Sequence, residues 1–237
     1  MHSHPSMAAG CLSLAGPEIV ASASCYPRPD ATCSRVLAEL GEAPVDGYCL
    51  DSRGTPIVVG KGHAAVILLA WSRGLGPVAV KVRRRDSKAE SLQREAAYLA
   101  RAFRAGAAPR PLWWGDEVIV MEYVEGTLLG EARIESETVA ASLEAARALD
   151  AAGILHRELA RPWRHVIIRS ATAVIVDYDS ARDGCGSVNR IASALVVRLT
   201  GAPPGGSLRL LLAEYKRTCD RIVFEEIKRE VSSMACC

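Results

Sequence analysis

The 237-residue chain carries 29 basic and 27 acidic residues, a net charge of +2, and is 49% hydrophobic. That balance excludes a globally basic nucleic-acid coat and a largely disordered acidic chain, and it leaves room for one large domain or two small ones. The longest clean apolar run, residues 64–71, is far shorter than the ~20 residues a membrane span requires.

Residues 1–29 show no periodicity and are expected to be poorly ordered. They end in small residues, as a secretion signal does, but no Lys or Arg stands at the start and Pro17 and Glu18 interrupt the apolar part. A cytoplasmic leader is therefore expected. Asp30 can cap a short helix ending at Gly41, with Val36, Leu37 and Leu40 on one face. Strands follow over 47–51, 56–60, 64–71 and 77–82, joined by tight turns that predict an antiparallel sheet. Ser87 and Glu90 read as a capping box, opening a helix that carries Leu92, Ala96, Leu99 and Phe103 and stops at Gly106. Two strands bracket a turn at Gly115 and Asp116. From Glu135 the pattern turns helical, with Val139, Leu143, Ala146 and Leu149 on one stripe up to Gly153. Two short strands (165–169, 173–177) and helices over 187–200 and 207–230 complete the chain. The expected organisation is an extension with one short helix (1–45), a sheet with one helix (46–123) and a mainly helical part (124–237). The fold class is α+β.

The eight cysteines form no CxxC pair, which argues against a zinc or redox site. Arginine outnumbers lysine 24 to 5, and Asn189 and Gln93 are the single amides of their kinds. Few thermolabile amides suit a hot-living source, where intracellular disulfides also occur.

The residues with chemical potential come in a defined order. Gly60, Lys61 and Gly62 lie between two strands, where glycine lets backbone N–H groups approach a polyphosphate. Lys81 interrupts an apolar strand and must reach solvent or find an anion. Glu95, 14 residues on, is the anion predicted to pair with it. "MEYVEG" follows at 121–126, "HREL" at 156–159 and "VIVDYDSA" at 174–181.

Over residues 56–182 this series resembles the protein-kinase-like superfamily. The resemblance implies two lobes, an antiparallel sheet plus one helix followed by a small helical lobe, with ATP and Mg2+ or Mn2+ as cofactors. It assigns nucleotide contacts to Gly60, Lys61, Gly62, Val66, Ala79 and Lys81, a gatekeeper role to Met121, and adenine-binding backbone to Glu122 and Val124. It implies a Lys81–Glu95 pair, a general base at Glu158 and a metal ligand at Asp177. The third glycine is replaced by Ala65, Tyr178-Asp179 follows Asp177, and no activation segment is recognisable. That brevity looks more like RIO-type and lipopolysaccharide-kinase-type members, and closest to the archaeal predicted serine/threonine kinases. These imply an inter-lobe cleft and transfer to a hydroxyl on a protein or small molecule.

The loop itself departs from the family pattern. Glu158 stands for the usual Asp, and Trp163 occupies the Asn position that helps hold a second magnesium. His165 precedes the next strand and is a poor ligand for a hard ion. Asp179 is the candidate replacement ligand, since on a strand an i, i+2 pair shares one face with Asp177. Two further readings stay open: a pseudokinase that binds nucleotide only, and an RNA- or ribonucleoprotein-binding module built on 81–94 with Arg157, Arg161 and Arg164.

Overall fold

In the computed structural model, which describes residues 11–24, 31–62 and 64–236, the β-branched runs form antiparallel strands and the chain divides into two compact units. Unit 1 runs through Ala96 and resumes over Arg110–Tyr123; unit 2 takes Ala97–Pro109 and everything from Val124. The fold class is α+β.

Unit 1 contains β1 (Ser13–Ala15), α1 (Pro17–Ser24), α2 (Ala31–Glu42), β2 (Gly47–Leu50), β3 (Val58–Lys61), β4 (Ala65–Ser72) and β5 (Gly76–Arg83). Helix α3 (Gln93–Arg104) begins in unit 1 and ends in unit 2, and β6 (Pro111–Trp114) and β7 (Val118–Glu122) return to the sheet. The strand order is β1-β2-β4-β5-β7-β6 with β3 also on β4, and every pairing is antiparallel. Strand residues alternate between faces. Val78, Val80 and Val82 of β5 and Val118 and Val120 of β7 pack on one face with Val20 of α1 and Val36 and Leu40 of α2. Burying one such side chain contributes about 1.5–3 kcal/mol. Ala79 and Lys81 take the other face, opposite Met121 and Ile119.

A carboxylate clamps the end of this sheet. Glu39 of α2 accepts the backbone N–H groups of Asp116, Glu117 and Val118 at 2.8–2.9 Å, satisfying the β6–β7 turn. A side chain at Gly115 would stand within van der Waals radius of that carboxylate, so the turn needs glycine there.

Four expectations for this unit need correction. Residues 11–24 are a strand and a helix, and the strand is joined to β2 by main-chain pairing and the segment by a Cys11–Cys49 disulfide, so these described residues belong with the sheet. The unit accordingly carries more than one helix; Asp30, the expected cap of α2, lies outside the described residues. Helix α2 passes through Gly41 to Glu42, and Leu37 is exposed. The Ser87–Glu90 box opens no helix: Ser87 Oγ instead accepts the Ala89 N–H in a local turn, and α3 starts at Gln93. Local hydroxyl bonding competes with helix initiation in this way. Helix α3 buries Ala96, Leu99 and Ala102 and leaves Phe103 exposed.

Unit 2 holds β8 (Thr127–Leu128), α4 (Ser136–Ala151), β9 (Ile154–Leu155), β10 (Val166–Arg169), β11 (Thr172–Ile175), β12 (Arg182–Asp183), α5 (Ser187–Thr200), α6 (Gly206–Thr218) and α7 (Arg221–Ser233). Small ladders join β11-β10-β8 and β12-β9. The α4 stripe of Val139, Leu143, Ala146 and Leu149 is fully buried. Gly153, at φ +68°, ends the helix in the left-handed conformation that suits glycine. The single helix expected over 207–230 is two helices. Cys219 turns left-handed at φ +50° and is bonded to Cys185, and Asp220 caps α7 by accepting the Ile222 and Val223 N–H groups. No helix among the described residues is long and apolar enough to cross a membrane.

Candidate functional site

In unit 1 the central group is Lys81. Its position on β5 turns it away from the α1/α2 face, and Glu95 in the first turn of α3 meets it, with Nζ 2.6 Å from Oε1. Both side chains are buried. A buried ammonium and carboxylate hold each other only with good geometry, and this contact has it. Ala79 and Met121 share the Lys81 face.

Other expected nucleotide residues fall elsewhere. Val66 pairs with Val82 and packs on the α1/α2 cluster, so it is a core residue; Ile67, opposite Lys81, holds the position the sequence reading gave to Val66. The one-residue offset moves a side chain to the other face, which a run of apolar residues such as "AAVILLAW" cannot reveal. Gly60 sits against Ile67, whose Cδ1 would be 3.1 Å from an added Cβ. The Gly62 N–H is engaged by the Ala65 carbonyl at 2.9 Å. Lys61 is exposed. At the expected hinge, the Glu122 N–H donates to the Arg110 carbonyl at 2.9 Å and is not available to a base. Val124 is buried at the start of unit 2.

In unit 2, "HREL" folds as a 3-10 turn over Arg157–Ala160 that rests on α5. His156 and Leu159 are fully buried and anchor it, while Arg157 and Glu158 face outward. The Glu158 carboxylate is half-buried and makes no hydrogen bond or ion pair among the described residues. A second 3-10 turn, Pro162–Arg164, follows in the lengthened loop. Trp163 is built into it: its carbonyl accepts the Gly130 N–H at 3.0 Å, and Gly130 leaves room for its Cβ. His165 follows, its carbonyl accepting the Val176 N–H at 2.9 Å and its Nδ1 3.8 Å from Asp177 Oδ2.

Asp177 corrects a further expectation. Strand β11 ends at Ile175, and Asp177 adopts φ +69°, so Asp177 and Asp179 are not two strand residues on one face. A non-glycine residue in this region costs on the order of 1–3 kcal/mol, and such conformations cluster at functional sites. Asp177 is partly exposed and Asp179 exposed. Among the described residues no group of three or more His, Cys, Asp or Glu side chains gathers as a metal cage. Mg2+ takes one or two carboxylates together with substrate phosphates and water, so this donor set fits such an ion without a cage. A cavity of about 610 Å3 between α6 and α7, lined by Ser207, Leu210 and Glu214 among others, contains none of these residues.

The sequence reading missed the groups that hold the loop in place. Asp150, near the end of α4, is buried and accepts the N–H groups of Gly186, Ser187 and Val188 at 2.7–3.0 Å, capping α5 from outside. The Tyr215 hydroxyl donates to it as well, at 3.2 Å. Burial raises its pKa against the lowering effect of those backbone bonds. Ser187 in turn accepts the His156 N–H at 3.1 Å and donates to the Ile154 carbonyl at 2.9 Å. A single Asp before "AAG" carries no local signal of this role.

His156 Nε2 lies 3.2 Å from the Val176 carbonyl, which can only accept, so that nitrogen carries the proton. Burial, then the neighbouring His165, lower the imidazole from 6.5 to about 4, opposed by Asp177. Above pH 6.5 the ring is neutral in folded and unfolded chains alike; below it the unfolded chain gains a proton that the folded one refuses. Stability should therefore fall between about pH 6.5 and 4, by about 3 kcal/mol in all. Denaturant unfolding of the wild type and His156→Gln at pH 7 and 5 measures this, with a shallower loss expected in the variant; equal losses would remove the burial argument. No protein-family model and no curated protein matches this chain.

Proposed function

We propose that the chain is an atypical phosphotransferase that uses ATP and Mg2+ or Mn2+ to phosphorylate a hydroxyl acceptor, in the manner of a serine/threonine protein kinase. The observation that carries the reading is the buried Lys81–Glu95 pair, an ammonium fixed on a strand by a helix carboxylate at 2.6 Å. Lys81 would hold ATP phosphate oxygens, and Glu95 keeps its side chain extended. Asp177, with Asp179 as second candidate, would hold the metal, which neutralises phosphate charge when bound. Glu158 accepts the proton of the acceptor hydroxyl as that oxygen bonds the γ-phosphorus and the bond to ADP breaks. The packed Trp163, at the position where a second metal ligand would stand, favours the second reading, a pseudokinase that binds nucleotide without transfer.

Labelled ATP with Mg2+ or Mn2+, first without an added acceptor, tests this. Lys81→Ala should weaken ATP binding or turnover more than tenfold, because the phosphate loses a charge-assisted partner, and Lys81→Ala/Glu95→Gln, which strands no carboxylate, should show the same loss. Unchanged binding and turnover in Lys81→Ala would rule the assignment out.

A further inference from the structure

Resting on that reading, we propose that the acceptor is a small hydroxyl compound that already carries a phosphate monoester, held by Arg157, Arg161 and Arg164 beside Glu158. The three arginines stand within eight residues, Arg157 and Arg164 on two consecutive 3-10 turns and Arg161 at the junction between them. Buried His156, Leu159, Pro162 and Val166 alternate with them and turn all three outward. None of the three side chains makes an ion pair or hydrogen bond among the described residues. Elsewhere arginines do find carboxylates: Arg83 with Glu117, Arg84 with Asp86 and Arg101 with Asp183. Glu158, the one acid in the stretch, makes no ion pair with them among the described residues, so the segment carries three cations that its own carboxylate does not neutralise. A fourth, Arg198, lies over the Trp163 ring at 6.0 Å in the same loop.

Guanidinium forks recognise phosphate oxygens in bidentate pairs, which suits a dianionic monoester better than a carboxylate. The confinement of the three arginines to eight residues and a net charge of only +2 for the whole chain favour one small phosphate over a nucleic-acid backbone, which calls for an extended basic surface. Anchoring the acceptor by a phosphate would bring its hydroxyl to Glu158 in a fixed orientation.

The experiment titrates the full chain with ribose 5-phosphate, ribose and a single-stranded RNA oligonucleotide. It compares the wild type with an Arg157→Gln/Arg161→Gln/Arg164→Gln variant and an Arg209→Gln/Arg217→Gln control on the exposed face of α6. Expected are salt-sensitive binding of ribose 5-phosphate but not ribose, a loss of more than tenfold in the triple variant, and none in the control. Equal binding by wild type and triple variant overturns the proposal, as does no binding of ribose 5-phosphate by the wild type. Arginine-dependent binding of RNA alone also overturns it and assigns the cluster to a phosphodiester backbone. ATP binding is measured in the same proteins: its absence from the wild type defeats the kinase reading, whereas ATP binding kept in the triple variant with ribose 5-phosphate lost supports two separate phosphate sites.

Discussion

Replacing Glu158 by glutamine should cut phosphate transfer by about 10²–10⁴-fold while ATP binding stays nearly unchanged. Glutamine keeps the size and shape of the side chain but cannot accept a proton. The turn carrying it is pinned on both sides by fully buried His156 and Leu159, so the substitution has no reason to move the loop. Among the described residues no cation pairs with the carboxylate. Glu158→Asp keeps the charge but draws it back by one methylene, and its activity should fall between those of wild type and Glu158→Gln. His165→Ala should leave the metal requirement intact, because the ring sits 3.8 Å from Asp177 and is tied into the loop through its backbone. Should the wild type bind ATP and transfer nothing to any acceptor, with Glu158→Gln indistinguishable from it, the pseudokinase reading stands.

The largest effect on stability is expected at Glu117. Its carboxylate is almost fully buried and receives Arg83 through Nε at 2.6 Å and Nη2 at 3.0 Å, with Arg35 Nε at 3.2 Å. Arg83 is also buried, and apart from Glu117 its guanidinium bonds the Ala89 carbonyl through Nη1 at 2.9 Å. The hydrogen bond to Glu117 is the main cause of the raised Arg83 pKa. Glu117→Ala strands that charge in the interior and should destabilise unit 1 by about 3–5 kcal/mol in denaturant unfolding. Arg35→Ala removes a largely exposed partner and should cost less than about 1 kcal/mol. The double variant Arg83→Met/Glu117→Leu should be more stable than Glu117→Ala, because no uncompensated ion remains. A loss below 1 kcal/mol for Glu117→Ala would show that water reaches the pair and that its burial does not matter.

How much of this was legible beforehand follows the reach of each signal. The short apolar runs "PVAVKV" and "EVIVMEYV", bounded by turn residues, were enough to place β5 and β7, and the 3.6-residue stripe of α4 was enough to bury Val139 through Leu149 and to end at Gly153. A lysine inside an apolar strand, a glutamate 14 residues on and the glycines before them singled out Lys81 and Glu95 only when taken together. These are local patterns, carried by neighbours along the chain. The continuous apolar run at 64–71 had no period to read, so Val66 and Ile67 exchanged faces. A residue's own conformation was equally hidden: the left-handed turn at Asp177 arises where the chain leaves β11, and nothing in "IVDYD" announces it.

The sequence by itself therefore determined most of the strands between residues 47 and 122 and helix α4, that the strands pair antiparallel, and which ionisable residues stand out against apolar surroundings. Only the tertiary structure decided the partners: Cys11 with Cys49 and Cys185 with Cys219, Glu39 with the β6–β7 turn, Glu117 with Arg83, and Asp150 with the start of α5. Periodicity is set by backbone geometry that repeats every two or 3.6 residues, and each segment carries it alone. A buried polar group, by contrast, must be satisfied by whatever donor the packing brings to it, and for these carboxylates that donor lies 34 to 79 residues away in the chain.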